Sequence, residues 1–100
     1  MHKKIAIIGT VGLPANYGGF ETLVEHLTKE LNQDFDITVY CSAKSYSEKL
    51  VTYNNCKLHY INMQANGMQS ILYDIRAIFH ALKYADVLLI LGVLQTFQAF

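Results

Sequence analysis

The stretch that decides the fold of this chain is GTVGLPANYGGFE, residues 9–21. A short apolar run at residues 5–8 precedes it, and an amphipathic run follows over residues 20–31. This order predicts a strand, a glycine-rich loop and the beginning of a helix. The first N–H groups of a helix lack intrahelical partners and lie at the positive end of its dipole, so this helix start suits an anionic ligand. Gly18 and Gly19 leave out two side chains where a phosphate would approach the backbone.

The composition is that of a folded domain with a substantial core. Apolar residues make up 52% of the chain, which excludes a disordered class. Eight basic and eight acidic side chains give zero net charge, and no basic cluster indicates a nucleic-acid partner. The longest apolar run, residues 87–94, is about half as long as a membrane span. Cys41 and Cys56 lack CxxC spacing, so we expect reduced thiols in a cytoplasmic protein.

Strand and helix patterns alternate along the chain. Strands are predicted at residues 4–8, 36–41, 57–61 and 86–91, and helices at residues 20–31 and 69–84. The apolar stripe of the second helix consists of Ile71, Leu72, Ile75, Ile78, Phe79 and Leu82. This order predicts an α/β fold with a Rossmann-like, doubly wound parallel sheet in which four strands are visible. We expect the first strand in the centre, the second and fourth beside it, and the third outside the second.

Ligands of such sheets bind beyond the carboxyl ends of the strands, where the strand order reverses. Gly12 follows the first strand and Gly92 follows the fourth, so both are predicted to line one cleft. The fourth strand would be an apolar edge with an open ladder, which is a poor end for a sheet. We therefore expect residues 1–100 to be an incomplete, N-terminal portion of a larger sheet.

Two common nucleotide fingerprints do not match the glycine-rich loop. A dinucleotide site favours G-x-G-x-x-G and an acidic residue after the second strand, whereas Gly18 and Gly19 come late and Ser42 occupies the acidic position. A P-loop requires G-K-[ST], and no lysine occurs between Lys4 and Lys29. No histidine pair has metal-ligand spacing. Two functions stay open as alternatives to the one that a family resemblance implies below. One is a NAD-dependent sugar-nucleotide enzyme, and the other is a non-catalytic nucleotide- or sugar-binding module.

Three polar residues of the loop have both a structural and a functional interpretation. Glu21 is either a first-turn acid that stabilises the helix dipole or an acceptor for a sugar hydroxyl. Tyr17 either fills the core or forms a wall for a sugar ring. Asn16 either makes a turn or offers its amide to a hydroxyl.

Residues 4–22, KIAIIGTVGLPANYGGFET, resemble the opening of bacterial retaining glycosyltransferases of the GT-B fold, family 4. The most similar branch is the rhamnosyltransferase-like one of surface polysaccharide synthesis, and the run PANYGGFET is quite specific to it. Looser similarity extends through residues 39–41 and 91–93. One departure is Val11, because that branch usually carries a basic residue between Thr10 and Gly12.

The resemblance implies two Rossmann-like domains that face each other across a cleft. Residues 1–100 would be part of the N-terminal, acceptor-side domain, and the C-terminal donor-binding domain would lie outside them. The implied reaction transfers a sugar, expected to be rhamnose, from a nucleotide-sugar to a polysaccharide or lipid-linked acceptor. Gly18 and Gly19 would face the donor diphosphate, and Asn16, Tyr17 and Glu21 would contact the sugars.

The same resemblance implies that the reaction needs no metal or other cofactor. Because such acceptors are often lipid-linked, it also implies association with the inner face of the membrane. No catalytic residue is assigned within residues 1–100, and this portion alone is expected to be inactive.

Overall fold

The computed structural model describes residues 2–10, 12–13, 19–63 and 69–91. Its elements, in chain order, are β1 (Lys3–Ile8), α1 (Gly19–Leu31), β2 (Phe35–Ser42), a 3-10 turn (Ala43–Ser45), β3 (Thr52–Tyr53), β4 (Cys56–Ile61), α2 (Gln69–Ala81) and β5 (Val87–Ile90). The α/β class and both helices are therefore confirmed, with α2 ending at Ala81 and a turn over residues 82–84.

The strands form one sheet in the order β3-β4-β2-β1-β5. β1 pairs in parallel with β2 on one side and with β5 on the other, and β2 pairs in parallel with β4. This confirms the predicted arrangement of the four longer strands around β1. The chain leaves β1 towards β2, while β5 lies on the opposite side, so the strand order reverses at the carboxyl end of β1.

The prediction of four strands, all parallel, was wrong at one edge of the sheet. β3 is a fifth strand of two residues that pairs antiparallel with β4. Asn54 and Asn55 connect the two strands with φ of 53° and 61°, the left-handed pair of a two-residue hairpin. The Asn54 amide donates to the carbonyl oxygen of Glu25 at 3.3 Å and to Oγ1 of Thr28 at 3.2 Å, which ties the hairpin to α1.

Each face of the sheet carries one helix and one core. Alternate residues of β1 and β2 point to opposite faces. Ile7, Ile37 and Val39 pack with Val24 of α1 on the first face. The second core lies under α2 and consists of Ala6, Ile8, Tyr40, Ile61, Tyr73, Ala77 and Ala81.

The side of α2 that faces the sheet differs from the predicted stripe. Tyr73, Ala77 and Ala81 recur every four residues and are buried against the sheet. Most of the predicted stripe is exposed, namely Ile71, Leu72, Ile75, Phe79 and Leu82. The large Tyr40 ring occupies the sheet surface beneath this helix, so small alanines allow the backbone to approach. Helical spacing alone does not distinguish two adjacent apolar sides.

α1 buries polar residues together with apolar ones. Glu21, Val24 and Thr28 are buried, whereas Leu23 is exposed. Glu21 is buried because its carboxylate has a buried hydrogen-bond partner in the β1–α1 connection.

Both helices are 13 residues long, or about 20 Å at the usual rise per residue. A bilayer core is about 30 Å thick. Within the described parts of the chain, no helix has the length and apolarity to cross a membrane.

Candidate functional site

The candidate site lies at the carboxyl edge of the sheet, where β1 ends and α1 begins. β1 ends at Ile8, and Gly9 and Gly12 follow with φ of 99° and 145°. These backbone conformations favour glycine, because a Cβ atom is strained there. α1 begins at Gly19, so its first N–H groups lie at this edge.

A buried hydrogen bond joins the two ends of the β1–α1 connection. The Thr10 hydroxyl donates to Oε2 of Glu21 at 2.9 Å. Thr10 is 1% exposed and Glu21 is 9% exposed, so water competes little for this contact. Hydrogen bonds to ionised groups are stronger than neutral ones. The first turn of α1 is thereby held against the residue that follows Gly9.

Tyr73 of α2 holds the same residue through its backbone. Its hydroxyl lies 3.0 Å from the carbonyl oxygen of Thr10 and 2.9 Å from that of Tyr40, and its one proton is shared between them. Burial raises the pKa of Tyr73, so the phenol keeps its proton and remains a donor. Thr10 is therefore fixed by its side chain from α1 and by its carbonyl group from α2.

Gly12 packs directly against β2 and the segment that follows it. A Cβ atom at Gly12 would lie 2.7 Å from Cβ of Cys41 and 2.9 Å from Cε2 of Tyr46. Burial raises the pKa of the Cys41 thiol to about 11, and a backbone hydrogen bond from Leu13 opposes this rise in part. The thiol is thus protonated at neutral pH and is a poor nucleophile.

The carboxyl end of β2 is held by serine hydroxyls at the same edge. Ser42 is fully buried, and its hydroxyl donates to the carbonyl oxygen of Met63 at 2.6 Å. The Ser45 hydroxyl in turn donates to Oγ of Ser42 at 3.2 Å. These contacts fix the segments after β2 and β4 beside the β1–α1 connection.

The predicted site residues divide into two groups. Asn16, Tyr17, Gly18 and Gly92 lie outside the described residues, as does Val11. The structure brings the other three to one edge: Gly19 opens α1, Glu21 lies against Thr10, and Gly12 lies against Cys41. Their predicted contacts with diphosphate, sugar and cleft stay predictions.

Two residues that organise this edge, Thr10 and Tyr73, could not be recognised as site residues from sequence patterns. Thr10 follows a glycine and lies eleven residues before Glu21, a separation without a local pattern. Ala77 and Ala81 follow Tyr73 at four-residue spacing. These two small residues were the available signal for the side of α2 that packs against the sheet.

The described residues offer hydrogen bonds and helix-terminal N–H groups at this edge. They contain no group of three or more His, Cys, Asp or Glu side chains placed to hold a metal ion. Their chemistry is that of a preorganised backbone surface for a polar or anionic group.

Fold and site together define a small α/β domain of Rossmann-like type, with a mostly parallel sheet and a glycine-bearing connection at its carboxyl edge. The chain belongs to the family described as a domain of unknown function, DUF1972, whose profile matches residues 2–90. Comparison with curated proteins and with solved structures gave no significant match.

Proposed function

We propose that this chain forms the acceptor-side part of a glycosyltransferase that transfers a sugar, with rhamnose as the expected one. The donor is a nucleotide-sugar, and the acceptor is a polysaccharide or a lipid-linked sugar. The proposed place of action is the cytoplasm, at the inner face of the membrane where lipid-linked acceptors reside.

The observation that supports this function best is the double attachment of Thr10. The side chain is held by Glu21 at 2.9 Å and the carbonyl oxygen by Tyr73 at 3.0 Å. Both contacts are buried, so the connection that leads to the first turn of α1 begins from a rigid base. Prearranged N–H groups stabilise charge that develops on a leaving diphosphate, because they need no reorganisation during the reaction.

Two further lines support the same class of function. The run PANYGGFET in residues 14–22 resembles the rhamnosyltransferase-like branch of GT-B enzymes. The matched family is a domain found at the N-termini of glycosyltransferases. In the proposal, Gly18 and Gly19 face the diphosphate, and Asn16 and Tyr17 face the sugars. Glu21 contacts a sugar hydroxyl and also positions the connection through Oε2.

The binding step is tested on the chain itself by NMR. The ¹⁵N-labelled chain is titrated with thymidine-diphosphate rhamnose and, separately, with NAD⁺. We expect amide shifts from the sugar nucleotide at residues 9–13 and 19–22, and none there from NAD⁺. Shifts from NAD⁺ alone would favour the NAD-dependent enzyme and overturn the proposal.

A pair of valine variants on α1 provides the matched control. Gly19→Val adds a side chain at the first turn and should abolish the shifts. Glu30→Val places the same side chain at the far, exposed end, where it replaces glutamate, and should leave them unchanged. Circular dichroism establishes that both variants fold. Equal binding by a folded Gly19→Val variant would contradict the role of the helix start.

The catalytic step is tested with a protein that carries this chain ahead of a donor-binding Rossmann-like half. That protein should transfer rhamnose to a lipid-linked acceptor, and residues 1–100 alone should not. Binding without any transfer by the longer protein would support the non-catalytic sugar-nucleotide-binding module instead.

A further inference from the structure

A second polar cluster lies at the opposite, amino edge of the sheet, under the end of α2. A cavity of about 400 Å³ opens there between the first half of β4 and the turn that follows α2. Lys57, His59, His80 and Tyr84 line it. Its volume lies in the usual range for small-molecule sites, roughly 300–1,000 Å³. We call it the amino-edge cavity.

Two histidines and two tyrosines form a connected group beside this cavity. The rings of His59 and His80 are stacked, with centroids 4.1 Å apart and planes 24° apart. The Tyr40 hydroxyl lies 2.6 Å from Nδ1 of His80 and 2.8 Å from the Tyr84 hydroxyl. Burial raises the pKa of Tyr40, so this phenol carries its proton at neutral pH.

The hydrogen bonds of this group leave one ring nitrogen of His80 for a ligand. In one arrangement, Tyr40 accepts from Tyr84 and donates to Nδ1 of the neutral imidazole. The ring proton of His80 then lies on Nε2, which is the donor that this histidine offers.

The charges around the cavity favour an anion. Among the described residues that line the cavity, Lys57 carries a formal positive charge and none is a carboxylate. His80 lies in the last turn of α2 and lines the cavity from the carboxyl end of that helix. Burial and the neighbouring His80 lower the pKa of His59, so His59 serves as the neutral stacking partner.

Charged groups on the remaining strands lie in a smaller adjoining cavity of about 190 Å³. Lys4 of β1 and Asp36 of β2 line that cavity together with Lys57 and Tyr84. Asp86 accepts a hydrogen bond from the backbone N–H of Lys4 at 2.9 Å. Neither of these two carboxylates is among the residues that line the amino-edge cavity.

We propose that the amino-edge cavity binds a small organic anion, whose sulfonate, carboxylate or phosphate group is held by Lys57 and by a ring N–H of His80. The apolar part of the ligand lies against Val51 and the imidazole rings, and hydroxyl groups of Thr38 and Thr52 complete the wall. This site is separate from the carboxyl edge and does not depend on the proposed transferase function.

Benzenesulfonate and benzenesulfonamide are a matched pair of probes, since they have similar shape and only the first carries a charge at neutral pH. The ¹⁵N-labelled chain is titrated with each probe at pH 7.5. We expect benzenesulfonate to shift the amides of residues 57–59 and 80–84. Benzenesulfonamide should bind at least about fivefold more weakly than benzenesulfonate.

Three variants separate the cavity from general charge effects. Lys57→Gln should weaken benzenesulfonate binding about fivefold or more, whereas Lys29→Gln, exposed on α1 at the other face, should not. His80→Asn keeps an acceptor for Tyr40 but removes the ring N–H, and it should weaken benzenesulfonate binding while the Lys57 contribution remains. Equal binding of the two probes would overturn the proposal. So would equal losses in the two lysine variants, or shifts confined to another region.

Discussion

Gly12 offers the sharpest test of the packing at the candidate site. An alanine there would place Cβ 2.7 Å from Cβ of Cys41, 2.8 Å from its Sγ and 2.9 Å from Cε2 of Tyr46. Cβ of Cys41 is fixed by the backbone of a central strand, so it cannot turn aside as the end of a flexible side chain can. The φ of 145° at Gly12 adds backbone strain for any residue with a Cβ atom.

The expected cost of Gly12→Ala follows from these two terms. Overpacking a core costs roughly 1–3 kcal/mol, and a side chain in a sparsely populated backbone region costs about 1–3 kcal/mol. Their sum, roughly 2–6 kcal/mol, is a large part of the 5–15 kcal/mol that stabilises a typical domain. The melting temperature should fall by at least about 8 °C. Urea unfolding of the purified chain measures the loss.

A double-mutant cycle with Cys41→Ala isolates the sulfur contact. Removing Sγ takes away the 2.8 Å approach but leaves the 2.7 Å approach of Cβ, so the double variant should recover part of the loss, about 0.5–1 kcal/mol. A loss below about 1 kcal/mol for Gly12→Ala would refute the packing argument. Strict additivity of the two variants would refute the contact with Cys41.

Three further outcomes follow from the contacts around both edges. Tyr73→Phe removes the proton shared by the Thr10 and Tyr40 carbonyl oxygens and should cost about 1–3 kcal/mol in urea unfolding; a cost below about 0.5 kcal/mol would mean that water replaces the phenol. The pKa of His59 is lower in the folded chain than its unfolded value of about 6.5, through burial first and His80 second. Its contribution to stability is therefore complete above about pH 6.5 and is lost as the pH falls towards the folded pKa. Urea unfolding at pH 7.5 and 5.5 should show this decline, weakened in His59→Phe and unchanged in His26→Gln, whose side chain is exposed. Cys41 and Cys56 are buried, and burial raises each thiol pKa to about 11. Iodoacetamide at pH 8 should label them slowly until urea unfolds the chain, and rapid labelling of the folded chain would contradict their burial.

The order of elements was readable from local patterns. The β-branched run at residues 5–8 and the turn residues around it predict a buried strand, and such a strand followed by an amphipathic helix predicts a parallel crossover. Right-handed crossovers then limit the strand orders, so the position of β1 between β2 and β5 could be predicted. β3 was not predicted because a strand of two residues is too short to show an alternation of apolar and polar residues. Asn54-Asn55 is nevertheless a recognisable turn pair.

Which side of each helix packs against the sheet could not be predicted in the same way. α2 is apolar on more than one side, and the sheet surface beneath it decided which side packs. Tyr40 projects there, so the small residues Ala77 and Ala81 lie against the sheet while Phe79 is exposed. For α1, the partner of Glu21 lies across the connection in Thr10, and a local propensity favours an exposed first-turn acid instead.

Local sequence patterns established the class of fold and the place of the glycine-rich connection, because these depend on residues near one another in the chain. They also predicted a helix start at residue 20, one residue after the observed start at Gly19. Only the tertiary structure decided which side chains support that connection. Thr10 and Tyr73 are 63 residues apart, and His59 and His80 come from different elements on one face. Such contacts depend on strand register and helix rotation, which are set by packing over the whole sheet.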